Sequence, residues 1–222
     1  MEQQKRALVI TGGLPVEFIT ADDFGPFDIL IAADSGVDVA RGLGLVPHVV
    51  VGDFDSVTQT ALDDARRAGA QIVQVSPDKD FTDTELAIAH AASIGATHIV
   101  IVNAGGGRFD HLYGIFSSLA NPLLEHVIVE AIIGVAHISI VHGGQSLNLP
   151  RRGSDIVGLH AMHGPAEGIV TRGLRWKLDD ETLLPWTSRG VSNEMTATVA
   201  EISLRSGVLA VVQPLAYHDP RP

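Results

Sequence analysis

The chain has 222 residues, 45% of them hydrophobic, with a formal net charge of −11 and no cysteine. That length and apolar content exclude a disordered chain and suffice for a sizeable core in one large domain or two small ones. The acidity argues against a nucleic-acid partner, and the missing cysteines remove disulfides, thiolate zinc sites and a cysteine nucleophile.

The opening MEQQKRALVITGG has a basic start but only four apolar residues before a threonine and two glycines, too few for a signal-peptide core. No run approaches membrane-spanning length, so the expected location is cytoplasmic, without a membrane partner. Strands are then predicted at ALVI (7–10), DILIAA (28–33), HVVVG (48–52), QIVQV (71–75) and HIVIVNA (98–104). Helical patterns fall between them near 35–43, 57–68, 83–94 and 110–120. Alternation of this kind implies βαβ units and a parallel sheet, whose ligands bind at the carboxyl ends of the strands. Four loops should share that edge: Thr11-Gly12-Gly13, Asp34-Ser35-Gly36, Gly52-Asp53-Phe54-Asp55 and Ala104-Gly105-Gly106-Gly107.

Beyond Asn121-Pro122 the pattern changes. HVIVEAII (126–133), AHISIV (136–141), DIVGLHA (155–161), ATVAEISLR (197–205) and VLAVVQ (208–213) read as a series of short strands, with turns at 142–144, 150–153 and 206–207. Such a series suggests an antiparallel sandwich or barrel. The boundary is placed near residue 130, giving an α/β region over 1–130 and a β-rich region over 131–222, although HVIVEAII could also be the last strand of the parallel sheet. The tail from about Tyr217 is expected to fray.

Four stretches carry candidate chemistry. In GDFDS, Asp53 and Asp55 end an apolar strand, and an extended segment would turn both carboxylates the same way. Two unit charges about 4 Å apart repel by roughly 1 kcal/mol in water and about 4 at a protein-like dielectric. Mg²⁺ would reverse that sign. An aspartyl-phosphate nucleophile at Asp53, or a solvated turn, would also account for the pair. In PDKDFTDTELAIAHA, Thr82 and Glu85 form the capping box that opens a helix, and Asp83 sits in its first turn, where the dipole favours an anion. Capping does not explain Asp78 and Asp80, and Lys79 is a possible phosphate partner. In NAGGGRFDHLYG, successive glycines before a helix can turn N–H groups toward an anion, with Arg108 adding a fixed fork. In GLRWKLDDETLLPWTSRGVSNEM, Trp176 and Trp186 could hold a flat cationic ring, or could pack beneath a long hairpin. The H-x-x-H of His160 and His163 lacks any wider metal signature.

Together these stretches resemble the thiamine pyrophosphokinase family: ADSG, GDFDS, DKDxTD, GGRFDH, GLxWxLDxETL and RGVSNE occur in family order and cover most of residues 7–213. The resemblance implies an α/β protein, with a parallel, Rossmann-like catalytic domain that binds nucleotide and a C-terminal antiparallel β-sandwich or barrel that binds thiamine and dimerises. It implies transfer of the pyrophosphoryl group of ATP to the thiamine hydroxyl, leaving AMP, with Mg²⁺ as cofactor and a homodimer as the working form. Asp53, Asp55 and Asp83 would bind Mg²⁺ and phosphates, and Lys79, Asp80, Arg108 and Asp110 would line the polyphosphate path. Gly12, Gly13, Asp34, Ser35, Gly36, Gly106 and Gly107 would complete the nucleotide site. Trp186, Ser192 and Asn193 would contact thiamine, across a subunit interface. Ser35, His48 and Phe81 depart from the family pattern without removing a candidate metal ligand. A phosphatase using Asp53, or a non-catalytic nucleotide or thiamine sensor, are the alternatives.

Overall fold

A computed structural model describes residues 4–13 and 19–215, so the tail beyond Tyr217 lies outside the described residues. The chain divides into two units, 1–134 and 135–222. In the first, six strands form one sheet: β1 (Arg6–Thr11), β2 (Ile29–Ala33), β3 (Val49–Gly52), β4 (Gln71–Gln74), β5 (His98–Asn103) and β6 (Ile128–Ile133). Their order is β4-β3-β2-β1-β5-β6, and every neighbouring pair is parallel. β1, β2, β3 and β5 are buried almost throughout, the reason they read as unbroken apolar runs. β4 lies at the edge, where Gln71 and Gln74 are exposed.

The four expected helices are α1 (Gly36–Gly42), α2 (Gln59–Arg67), α3 (Asp83–Ser93) and α4 (Phe109–Ser118). Val37 of α1 and Ala61, Leu62 and Ala65 of α2 pack on Ala32 and Val50 of the sheet. α3 opens with the predicted capping box: Thr82 Oγ1 accepts from Glu85 N at 3.2 Å, and Glu85 Oε2 accepts from Thr82 N at 3.0 Å. His48 has a structural use, since its Nδ1 accepts from Leu30 N at 2.9 Å where β2 and β3 begin.

β6 corrects the expected boundary. It pairs in parallel with β5 through Asn103 and Ile133, so HVIVEAII completes the first sheet and the units part at 134/135, not 130.

The second unit is antiparallel. It contains β7 (Ala136–His142), β8 (Ser146–Pro150), β9 (Ile156–Arg172), β10 (Glu181–Leu183), β11 (Asn193–Glu194), β12 (Val199–Ser203) and β13 (Ser206–Pro214). The path runs β7-β13-β9-β12-β8, with β10 and β11 also paired to β9. Leu149, Val157, Leu159, Ile169, Ile202, Leu209 and Val211 share one core. The sequence predicts only turns at 142–144 and 150–153 around β8, yet β8 pairs with β12 along all five residues. The strand predicted at 155–161 continues to Arg172, because His163 and Gly168 take positive φ and bend it past Gly164 and Pro165 without ending it. Among the described residues no helix is long and apolar enough to cross a membrane.

Candidate active site

In the first sheet the strand order reverses between β1 and β5, and a doubly wound sheet opens its crevice at such a point. A cleft of about 350 Å³ lies there, lined by Thr11, Gly12, Gly13, Asp34, Ser35, Thr82, Asp83, Gly106, Gly107 and Arg108, with Ser56, Asn103 and His111. Loops after β1, β2, β3, β4 and β5 all contribute, as expected for the carboxyl edge.

Asp34, Asp53 and Asp55 each bring one carboxylate oxygen within 4.8 Å of the other two. The sequence suggested that Asp53 and Asp55 would converge by extended alternation. They converge differently: Phe54 has φ 68°, so the chain turns back between them, and Asp53 Oδ1 accepts from Asp55 N at 3.3 Å. Asp34 enters the same cluster because Gly52 carries no side chain. A Cβ at Gly52 would lie 3.1 Å from the Asp34 Cα. Asp34 Oδ2 accepts from the Ser56 hydroxyl, while Oδ1 is buried without a donor. Three carboxylates, one with an unpartnered buried oxygen, form an all-oxygen donor set suited to a hard cation such as Mg²⁺.

Lys79 stands beside this cluster. Its ammonium lies 2.6 Å from Asp53 Oδ2 and 3.1 Å from Asp83 Oδ1, with only 15% of the lysine side chain exposed. The Lys79 hydrogen bond holds the Asp53 carboxyl below its ordinary value, against the opposing effect of burial. Burial pushes Asp83 up, and Lys79 only partly offsets it. Burial also works against the charged lysine, but its contacts with the two carboxylates prevail and raise it.

Across the cleft, Gly105, Gly106 and Gly107 have φ of 72°, 73° and 72°, a left-handed run that only glycine adopts without strain. It leads into α4, whose N-cap Arg108 makes no side-chain cap hydrogen bond, so this helix N-terminus lies beside the cleft that Gly106, Gly107 and Arg108 line. Asn103 fixes the run. Its Nδ2 donates to Thr11 Oγ1 at 2.7 Å and Gly12 O at 2.5 Å, and its Oδ1 accepts from Gly105 N at 2.8 Å. Arg108 is exposed and held by Asp110, Nε at 3.1 Å and Nη2 at 2.5 Å. That pairing lowers Asp110 and raises Arg108.

In the second unit, Leu174 bridges Met195, and Arg175 N donates to Glu194 O at 2.8 Å, so 174–176 lies along 193–195. Asn193 is buried and its amide is occupied. Oδ1 accepts from Trp176 N at 3.1 Å and from Glu194 N at 2.9 Å, and Nδ2 donates to Trp176 O at 2.8 Å. The Arg175 guanidinium sits 4.8 Å from the Trp176 ring centroid and pairs with Glu194 at 2.8 Å. Trp176 and Trp186 are 52% and 76% exposed, so neither packs beneath the hairpin. Ser192 is exposed, with φ 59°.

Two family models match this chain: "Thiamin pyrophosphokinase, catalytic domain" over residues 25–130 and "Thiamin pyrophosphokinase, vitamin B1 binding domain" over 145–209. The chain belongs to the thiamin pyrophosphokinase family. It is 29% identical over 149 residues to thiamine pyrophosphokinase 1 of Oryza sativa subsp. japonica, covering 62% of this chain and 54% of the rice protein. It is 22% identical over 183 residues to the thiamine pyrophosphokinase of Bacillus subtilis (strain 168), covering 82% of this chain and 86% of that one. Among solved structures, the Bacillus subtilis thiamine pyrophosphokinase superposes with a TM-score of 0.82 at 21% identity, over 96% of this chain and 100% of that chain. A thiamin pyrophosphokinase family protein from Enterococcus faecalis gives 0.81 at 25%, over 96% and 100%.

Of the residues expected for this family's nucleotide site, Gly12, Gly13, Asp34, Ser35, Gly106, Gly107 and Arg108 line one cleft together with Asp83 of the expected metal set, while Lys79, Asp53 and Asp55 are not among its lining residues. Gly36 is buried as the first residue of α1. Asp80 is exposed on the loop before α3. The metal set implied by resemblance, Asp53, Asp55 and Asp83, differs from the geometric trio by one member: Asp34 takes the third place, and Asp83 pairs with Lys79 outside the trio. Asp34 was expected among nucleotide-binding residues, and only the parallel register of β2 and β3, Ala33 beside Val51, places it next to Asp53. Asn103 had no assigned role, although a polar residue ending a buried strand before a glycine run was a usable signal. Asn193 works from behind the surface, through Trp176.

Proposed function

We propose that this protein transfers the pyrophosphoryl group of ATP to the hydroxyl of thiamine, giving thiamine diphosphate and AMP, in a Mg²⁺-dependent reaction. The observation that carries the reading is one cleft at the strand-order reversal lined both by Asp34, a member of the carboxylate cluster, and by Gly106, Gly107 and the Arg108 N-cap of α4. In the transfer, the bond from the β-phosphorus to the oxygen bridging it to the α-phosphate breaks, the thiamine oxygen bonds that phosphorus, and the hydroxyl proton is lost. Such reactions need positioning and charge neutralisation more than covalent help.

Asp34, Asp53 and Asp55 would hold the cation, whose contribution when bound is to neutralise charge on the transferring phosphates. The N–H groups of Gly106 and Gly107 and the Arg108 fork would position phosphate oxygens. Asp80 or Asp110 would take the hydroxyl proton in this reading. Trp186 and Ser192 are exposed, and in this reading they would contact the thiamine ring across the interface of a cytoplasmic homodimer. Nothing in the geometry favours Asp53 as a nucleophile, since it faces two carboxylates and Lys79.

The test is to incubate pure protein with ATP, Mg²⁺ and thiamine and follow the products. AMP and thiamine diphosphate in equal amounts are expected. ADP with thiamine monophosphate, or no turnover, would defeat the proposal.

A further inference from the structure

Lys79 touches both versions of the metal set. Its ammonium contacts Asp53, which belongs to the geometric trio, and Asp83, which belongs only to the set implied by resemblance. Asp34 and Asp55 complete the surroundings, so four carboxylates gather near one ammonium. One positive charge cannot cancel four negative ones, and the cluster keeps an attraction for further cations.

A divalent cation on Asp53 would stand against Lys79 with twice the repulsion of a monovalent one at the same distance, in surroundings where solvent screening is reduced. Both cannot hold the same carboxylate at their best. Lysine is the residue able to give way: a compact point charge on a flexible four-carbon stem, with rotatable donors and no planar fork to satisfy. It stands on the loop between β4 and α3, with its exposed neighbours Asp78 and Asp80 on either side.

We propose that the Lys79 ammonium is a resident counter-ion, which occupies Asp53 and Asp83 in the ligand-free protein and is exchanged for the divalent cation, moving from the carboxylates to a phosphate oxygen when nucleotide binds. This rests on the metal-site reading given above. It assigns Lys79 two successive partners, where the sequence suggested only the phosphate. The lysine holds Asp83, which lies outside the geometric trio, as well as Asp53, and its departure frees both.

Two measurements test it without turnover. Mn²⁺ is titrated into nucleotide-free wild-type protein and Lys79→Met, and the free ion is read by electron paramagnetic resonance. Removal of the competing ammonium should tighten Mn²⁺ binding about tenfold, while the affinity for Mg²⁺ with a non-hydrolysable ATP analogue should fall severalfold. Reductive methylation of the wild-type protein, resolved by mass spectrometry with Lys5 and Lys177 as internal references, follows the lysine itself. Lys79 should label slowly without metal, faster with Mg²⁺ alone, and slowly again with Mg²⁺ and the analogue. Because this second measurement uses the unmodified chain, it stands even if Lys79→Met folds poorly. Unchanged or weaker Mn²⁺ binding in Lys79→Met, or Lys79 labelling indifferent to Mg²⁺, overturns the inference while leaving the metal site in place. No Mn²⁺ binding by either protein overturns the inference together with the metal-site reading beneath it.

Discussion

The carboxyl edge of the first sheet and the 173–195 hairpin of the second unit both carry polar residues, but they use them in opposite ways. At the sheet edge, residues far apart in sequence meet because parallel strands end side by side, and their side chains leave the loops toward a common cleft. In the hairpin, neighbouring residues part company: Ser192 is exposed, while Asn193 turns inward and spends its amide on Trp176. Position along a parallel sheet therefore predicts which residues meet, because the topology does the assembling. In antiparallel structure successive residues alternate between faces, and residue type alone does not say which one meets a ligand.

The largest expected effect tests the first half of this contrast. Asp53→Asn removes the carboxylate shared by the trio and Lys79, and should lower the rate of AMP formation by about 10²–10³-fold, the scale seen when one preorganised electrostatic contact is lost. Its folded state should survive, since Lys79 keeps Asp83 as a partner. A rate within a few fold of wild type would show that this edge gathers carboxylates without using them.

Asn193→Ala tests the second half. Loss of the amide strands Trp176 N and O and should destabilise the protein by about 2 kcal/mol, read as a lower urea midpoint. Fluorescence from Trp176 should become more accessible to acrylamide in a Trp186→Phe background. If Asn193 instead touches thiamine directly, Asn193→Ala would raise KM for thiamine while stability and Trp176 accessibility stay put.

The difference also explains what was legible beforehand. The strands of the first sheet announced themselves as apolar runs because both faces are covered, and Thr82 with Glu85 declared the start of α3 through a purely local bond pattern. GDFDS was readable as a pair, but Asp34 joins it through β2–β3 register, a non-local fact. β8 is not legible in the sequence because Ser146 to Pro150 is short, and only two of its five positions, Leu147 and Leu149, are apolar. β9 runs past the predicted 155–161 through Gly164, Pro165 and Gly168, residue types that disfavour strands, because pairing with β13 and β12 carries it through the bend.

The smallest effect separates the two units by pH. His160 lies on β9, and burial lowers its pKa below the ordinary 6.5. The unfolded chain therefore binds more protons than the folded one in the interval below 6.5, so stability falls as the pH drops through that interval. Asp53 carries the same sign in a lower window. Its carboxyl is held below 3.8 by Lys79, so its contribution is complete above the unfolded value and is lost only as the pH falls past it. Asp83 works the other way, because burial raises it and protonation on acidification relieves the cost. Between pH 7 and 5 the second unit should therefore soften before the first. Amide hydrogen exchange, corrected for the intrinsic pH dependence, should show protection falling in β7, β9 and β13 while β1, β2 and β5 hold. His160→Gln should remove most of that difference, since a neutral amide has no proton to gain. Equal softening of both units, or a pH dependence that survives His160→Gln, would place the acid-sensitive group elsewhere.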